Sequence, residues 1–400
     1  MLTKPPPRES LPEIFWIFLR LGCTSFGGPI AHVGYLREAF VNKRHWLTEA
    51  SFADLLALCQ TLPGPASSQL GMALGLSRGG YGGALVAWLG FTLPSALAMV
   101  LFALGLTHST AFPPQALHGL KVAAVAVVAQ AVWGMARTLC TDTLRITIMA
   151  LAACCLLLLP GAAAQVGVII AAGAAGVLMC RGETRQDHDH LPLAVGRRAG
   201  LGWLALFVVL LLGLPVLAHV LPGQATAMMA AFFRAGSLVF GGGHVVLPLL
   251  QAEVVGPGWV DNETFLAGYG AAQAVPGPLF TFAAFLGTAM HGPPSGVLGG
   301  VIGLLAIFAP SFLLIAGALP FWEQLRQSQH TLAALAGINA AVVGLLLAAL
   351  YQPVWTSAIA GSRDFALAVL AFVALMFWRW PPWLVVLGSA LGSYVLAMLE

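Results

Sequence analysis

Long apolar blocks separated by short polar stretches run along this chain from about residue 11 to its end. In the first half they lie near 11–35, 49–76, 83–106, 117–136, 146–159 and 166–180, and an uninterrupted one follows at 201–221. A helix needs roughly 20 apolar residues to cross a bilayer, so blocks of this number predict roughly 12–14 membrane segments. The ten-residue alternation of a membrane β-barrel is absent. The expected fold class is an all-α polytopic membrane protein. Some blocks cannot be plain helices, however. Block 49–76 contains Gln60-Thr61-Leu62-Pro63-Gly64-Pro65, and block 11–35 contains Phe26-Gly27-Gly28-Pro29. Proline removes a backbone donor and clashes with the preceding turn, and glycine carries no steric restraint. Helices broken at membrane depth must satisfy the freed backbone groups with protein, water or a ligand.

Both strings return. Arg234, Gly236 and Phe240-Gly241-Gly242 repeat Arg20, Gly22 and Phe26-Gly27-Gly28 at a shift of about 214 positions. Trp259 matches Trp46, Phe265 matches Phe52, and Gln273-Ala274-Val275-Pro276-Gly277-Pro278 matches the string at Gln60. Gly292 and Gly296 then match Gly79 and Gly83, Pro310-Ser311 matches Pro94-Ser95, and the run at Gly337 resembles that at Gly119. Matches in constant order point to internal duplication. The chain divides into a polar tail at 1–10, a first membrane repeat at 11–180, a polar loop at 181–200, an extra linking helix at 201–221 and a second repeat at 225–400. Six crossings per half plus the linking helix would place the halves in opposite orientation. With the N-terminus inside, most Lys and Arg segments then fall inside, but the basic stretch at 36–48 falls outside, against the positive-inside rule. The lone Arg363 falls outside as well, and for the basic stretch two explanations are open: it lies on a surface, or the first block does not fully span.

Composition agrees with the pattern. Of 400 residues 59% are hydrophobic and 8% charged, against about 25% charged in an average soluble domain, and the mean hydropathy is +0.89. The first block is long and lacks a small-residue cleavage site, so it reads as a membrane segment and not a signal peptide. A scattered net charge of +3 excludes nucleic acid as a partner class. Six cysteines sit in apolar sequence without disulfide or metal spacing. Asp187-His188-Asp189-His190 lies in the polar loop with no further ligand in view and reads as a solvated segment. No metal or cofactor is expected. Walker, His-Glu-x-x-His and Gly-x-Ser-x-Gly motifs are missing, so the chain reads as a non-enzyme, and transport would run on a gradient.

The candidate chemistry is anion binding. A half-helix that starts after Pro63-Gly64-Pro65 or Pro276-Gly277-Pro278 turns unsatisfied N–H groups and a positive dipole end toward the break. Gly27, Gly28, Gly241 and Gly242 allow an oxyanion to approach the backbone. The alternative is that these residues only kink helices or let them pack closely. Arg20 and Arg234 put a forked cation inside an apolar block, for a multi-oxygen anion or for snorkelling to the surface. Gln60 and Gln273 can donate to an anion or bridge freed carbonyls. Glu38, Asp54 and Glu253 are candidates for carrying a proton, with solvated helix ends as the plainer reading of Glu38 and Glu253.

Taken together, Phe26-Gly27-Gly28-Pro29, Trp46-Leu47, Gln60-x-x-Pro63-Gly64-Pro65 and their echoes Phe240-Gly241-Gly242-Gly243-His244, Trp259-Val260 and Gln273-x-x-Pro276-Gly277-Pro278 resemble the chromate ion transporter family in its long, two-domain form. The resemblance covers the chain apart from its tail and central loop. It implies a multi-pass protein of the bacterial inner membrane with two homologous halves of opposite orientation. The implied activity is export of chromate, a tetrahedral dianion shaped like sulfate, on the proton motive force, with protons as coupling ion. Gly243 in place of Pro29 means that the two halves need not bind alike. A transporter of another oxyanion, a passive anion channel, and an intramembrane enzyme acting on a lipid phosphate are the other readings. Membrane lipid is the expected environment, and a homodimer is one assembly open to such a chain.

Overall fold

In a computed structural model the described residues are 9–108, 113–180 and 196–398. Among them there are helices and no strands. The first half comprises α1 (Leu11–Thr24), α2 (Gly28–Arg37), α3 (Glu49–Thr61), α4 (Ala66–His108), α5 (Pro114–Leu139), α6 (Thr143–Leu158) and α7 (Ala162–Met179). The linking helix is α8 (Arg197–Val220). The second half comprises α9 (Gln224–Leu238), α10 (Val246–Val254), α11 (Asn262–Ala272), α12 (Phe282–Ala289), α13 (Gly296–Ala318), α14 (Trp322–Gln327), α15 (Gln329–Ala349), α16 (Thr356–Ala358), α17 (Ser362–Met376) and α18 (Pro382–Met398). The polar run at 187–190 and most of the tail lie outside the described residues.

Sequence sets these boundaries locally. Ser10 caps α1 through the Glu13 N–H, and Thr48 caps α3 through that of Ser51. In the repeat, Asp261 caps α11 through the Thr264 N–H. The two broken strings end α1 and α3 after 14 and 13 residues, about 20 Å of helix against a hydrocarbon core of about 30 Å. Neither can cross alone.

Instead they fold back. Phe40, beyond α2, stacks on Phe18 in the middle of α1, at 5.1 Å between ring centroids. Trp46 lies against Phe40 and takes a hydrogen bond on its carbonyl from Arg78. At the start of α1, Leu11 and Ile14 face Gly79 and Gly83. The chain thus enters along α1, turns at Phe26-Gly27-Gly28 and returns along α2 to the end it left. It repeats the excursion along α3 and the first arm of α4. Helix α4 itself folds at Gly79-Gly80, where Gly80 has φ +62°, and the backbones of Gly75 and Gly83 come into contact. The second half does the same: Gln224 bonds to the His291 carbonyl and the His291 N–H to that of Trp259, which brings the start of α9, the end of α10 and the α12–α13 turn together.

These hairpins bear on the count of six crossings per half: α1 to α3 turn back, and the second arm of α4 with α5, α6 and α7, and likewise α13, α15, α17 and α18, follow as four further helical segments in each half. Opposite orientation does not depend on that count. The packing shows it directly. Along α4, Trp88 meets Phe308 and Val100 meets Gly300 on α13, so the two helices run antiparallel. The far segments are exchanged between halves: α5 packs on α17 and α18, and α15 on α6 and α7. At the centre α1, α4, α9, α12 and α13 share one core, in which Phe18, Phe232, Phe282 and Phe285 are fully buried. Helix α8 lies outside this core with Leu212, Val216 and Val220 exposed, which fits its lack of a counterpart in either repeat. By length and composition six helices could each cross a membrane: α4, α5, α7, α8, α13 with its extension, and α15 with its extension.

Candidate functional site

Each Pro-Gly-Pro break is clasped by the other half. The Gly64 N–H donates to the Val239 carbonyl at 2.7 Å, and the Gly277 N–H donates to the Ser25 carbonyl at 2.9 Å. Ser25 and Val239 are the residues just before the two Phe-Gly-Gly strings. The contact is therefore reciprocal, as a two-fold relation between repeats requires. The kinked helices take part in the same way. A Cβ on Gly64 would fall 2.5 Å from Ser311 Oγ, and one on Gly277 would fall 2.7 Å from Ser95 Oγ. Both glycines have positive φ, +127° and +98°, and so do Gly27, Gly28, Gly241 and Gly242.

Several buried polar atoms around these breaks have no hydrogen-bond partner. They are Ser68 Oγ, Gln69 Oε1 and Ser311 Oγ at the first break, and Ser25 Oγ and Thr92 Oγ1 at the second, where the Gln273 amide is engaged by the Tyr269 hydroxyl. Ser25, Ser68, Thr92 and Ser311 are each at most 2% exposed. Native interiors leave few polar groups unpaired, and each costs about 1–3 kcal/mol. The repeat-related hydroxyls are satisfied: Ser95 donates to the Thr92 carbonyl and Thr281 to that of Pro278. Gln69 Nε2 donates to the Pro63 carbonyl at 2.7 Å, covering an acceptor that the break would otherwise leave bare.

The charged candidates are arranged unequally. Arg234 grips Glu253 with two bonds, Nε to Oε1 at 2.7 Å and Nη2 to Oε2 at 2.6 Å. Arg20, its counterpart on α1, is exposed and makes no hydrogen bond or ion pair with a described side chain. Asp54 is buried on α3 and meets Arg326 of the second half at 3.3 Å. Glu38 is exposed and bonds to Asn42 and Lys43. The Asn42 amide above all, with Lys43, holds the Glu38 carboxyl below its ordinary pKa. Gln60 is exposed, whereas Gln273 is half-buried. The structure thus joins each break to the Phe-Gly-Gly turn of the other half, pairs Arg234 with Glu253, and leaves Gln60, Glu38 and Arg20 at exposed positions. Sequence reasoning missed Ser25, Ser68, Gln69, Thr92 and Ser311. The duplicated Pro-Ser pair was the available signal for Ser311.

The Chromate transporter family profile matches residues 12–177 and 226–394, one block on each side of α8. The chain belongs to the chromate transporter family. It is 31% identical to a chromate transport protein of Pseudomonas aeruginosa over 351 residues, 85% of this chain and 80% of that one. A probable chromate transport protein of Synechococcus elongatus is 29% identical across 86% of this chain and 84% of its own length. For a chromate transport protein of Cupriavidus metallidurans the identity is 27%, with 97% of this chain and 94% of the relative covered. No solved structure matches. The family and the apolar helices make this a multi-pass membrane protein whose relatives are transporters and not enzymes.

Proposed function

We propose that this protein exports chromate across the bacterial inner membrane on the proton motive force, binding the ion where the two broken regions clasp. The observation that carries the site is the reciprocal contact of Gly64 with Val239 and Gly277 with Ser25, which joins both breaks to both halves. Half-helix ends meeting at mid-depth suit an anionic substrate. Arg20 supplies positive potential without a bound carboxylate, while Glu253 and Asp54, each held by an arginine, are the groups through which protons act. Protons enter as coupling ion, and a homodimer is compatible with the exposed apolar surface.

The hairpins give this orientation a basis. With α1 and α2 returning to one end, Arg37, Lys43, Arg44 and Arg78 share the N-terminal face. Alternating spans then put Arg137, Arg145, Arg197, Arg198, Arg326 and Arg379 on the same face, and Arg363 on the other. Such an imbalance marks a cytoplasmic face. The basic stretch that broke the rule under six crossings now obeys it. An inside-negative potential of 100 mV favours outward movement of a dianion by about 4.6 kcal/mol, two charges at about 2.3 kcal/mol each, so export needs no nucleotide.

The test is chromate accumulation by everted membrane vesicles under an imposed potential and pH gradient. Saturable uptake that collapses with a protonophore is expected. Uptake that follows the imposed potential but ignores the pH gradient, with a conductance beyond carrier rates, would favour the passive channel.

A further inference from the structure

We propose that the transported oxyanion is held at the breaks by uncharged hydroxyl donors, Ser68 and Ser311 at the first and Ser25 and Thr92 at the second, and not by direct contact with arginine. This rests on the oxyanion-transport reading above and names the groups that touch the ion.

Three observations converge. First, the four hydroxyls are buried and unpaired. A tetrahedral oxyanion offers only acceptors, so one seated at either break completes the two hydroxyls there. Gln69 Oε1, also unpaired, is an acceptor and takes no part in holding the ion; Gln69 acts by covering the Pro63 carbonyl, which would otherwise repel an anion. Second, both breaks lie on the repeat interface. Ser68 belongs to the first half and Ser311, which lies against Gly64, to the second. At the second break Ser25, whose carbonyl accepts from Gly277 of the second half, and Thr92 belong to the first. Motion of one half against the other therefore assembles or disperses the donors at the first break. Third, the arginines are poorly placed to be ligands. The Nε–Nη2 edge of Arg234 is spent on Glu253, and Arg20 is exposed.

The chemistry favours neutral ligands. Hydrogen bonds to a charged ion from neutral donors are weaker than bidentate guanidinium pairs. A carrier must release its ion on the far side, so a site of moderate strength turns over faster than one built on arginine forks. Arg20 and the helix ends contribute positive potential at a distance, and the hydroxyls make contact.

The experiment measures KM for chromate uptake into everted vesicles for Ser311→Ala, Ser68→Ala, Ser25→Ala and Thr92→Val, beside Ser95→Ala and Thr281→Ala as repeat-related controls. Loss of one hydrogen bond to an ion is expected to raise KM about tenfold. The controls, whose hydroxyls are already spent on backbone carbonyls, are expected to stay within about twofold. Detergent-purified variants give a second readout, since chromate or sulfate should raise the melting temperature of wild type and controls more than that of the four variants. Unchanged KM and unchanged anion protection in all four would overturn the proposal. So would a large KM increase confined to Arg20→Gln or Arg234→Gln. Wild type that neither accumulates chromate nor is protected by chromate or sulfate would instead refute the transport reading.

Discussion

Replacing Gly64 by alanine strikes the clasp between the halves at its tightest point. Two penalties add. At φ +127° an L side chain is strained, which costs about 1–3 kcal/mol by itself. The new Cβ would also sit 2.5 Å from Ser311 Oγ and 2.6 Å from Gln69 Nε2, so one of those side chains must move and the Gln69 bond to the Pro63 carbonyl is put at risk. Gly277→Ala carries the same strain at φ +98° and meets Ser95 Oγ at 2.7 Å. Gly28→Ala separates the two effects, because at φ +75° it is strained while nothing lies within 4 Å of the added carbon. In a chain of this size 1 kcal/mol moves the melting temperature by about 1 °C. Gly28→Ala should then lower it by roughly 1–4 °C, and the two break variants should lose more. Adding Ser311→Ala to Gly64→Ala removes one of the two obstructing atoms and should recover part of the excess but not the strain. The measurement is thermal unfolding of purified protein in detergent, alongside chromate uptake at matched expression. If Gly64→Ala and Gly277→Ala melt with wild type and transport normally, the clasp as described is wrong.

Other consequences can be checked separately. In a chain with its native cysteines replaced, a cysteine at Lys43 should react with an impermeant thiol reagent from the same side as one at Glu9, because α1 and α2 form a returning hairpin; labelling from opposite sides would restore a full first crossing. Glu253→Gln should cost about 1–3 kcal/mol, less than the roughly 3–5 kcal/mol of a fully buried pair because the Arg234 side chain is 31% exposed. Adding Arg234→Gln should return much of that loss, and a double variant less stable than either single one would contradict the pairing. Asp54→Asn should destabilise the protein by about 2–3 kcal/mol, since it removes a charged partner from the nearly buried Arg326 guanidinium; an unchanged melting temperature would show that this link between the halves contributes nothing.

The sequence by itself determined what depends on local backbone chemistry. Long apolar blocks with few charges point to membrane helices, and the paired Pro-Gly-Pro and Phe-Gly-Gly strings within them to breaks. Their return in constant order declares two halves, and the six glycines picked out beforehand all take positive φ. Arg234 and Glu253 were visible as candidates, but not as partners, because 19 positions separate them and their meeting depends on α10 turning back beside α9. Asp54 and Arg326, 272 positions apart, lay further still from any local signal. The returning hairpins could not be read either: an apolar block of about 25 residues looks the same whether it crosses or folds back, and only the contact of Phe40 with Phe18 decides. The hydroxyls escaped for a related reason. A serine in an apolar helix usually bonds its own preceding turn, as Ser95 and Ser237 do. That Ser25, Ser68 and Ser311 do not is a property of how the halves pack, and only the tertiary structure could reveal it.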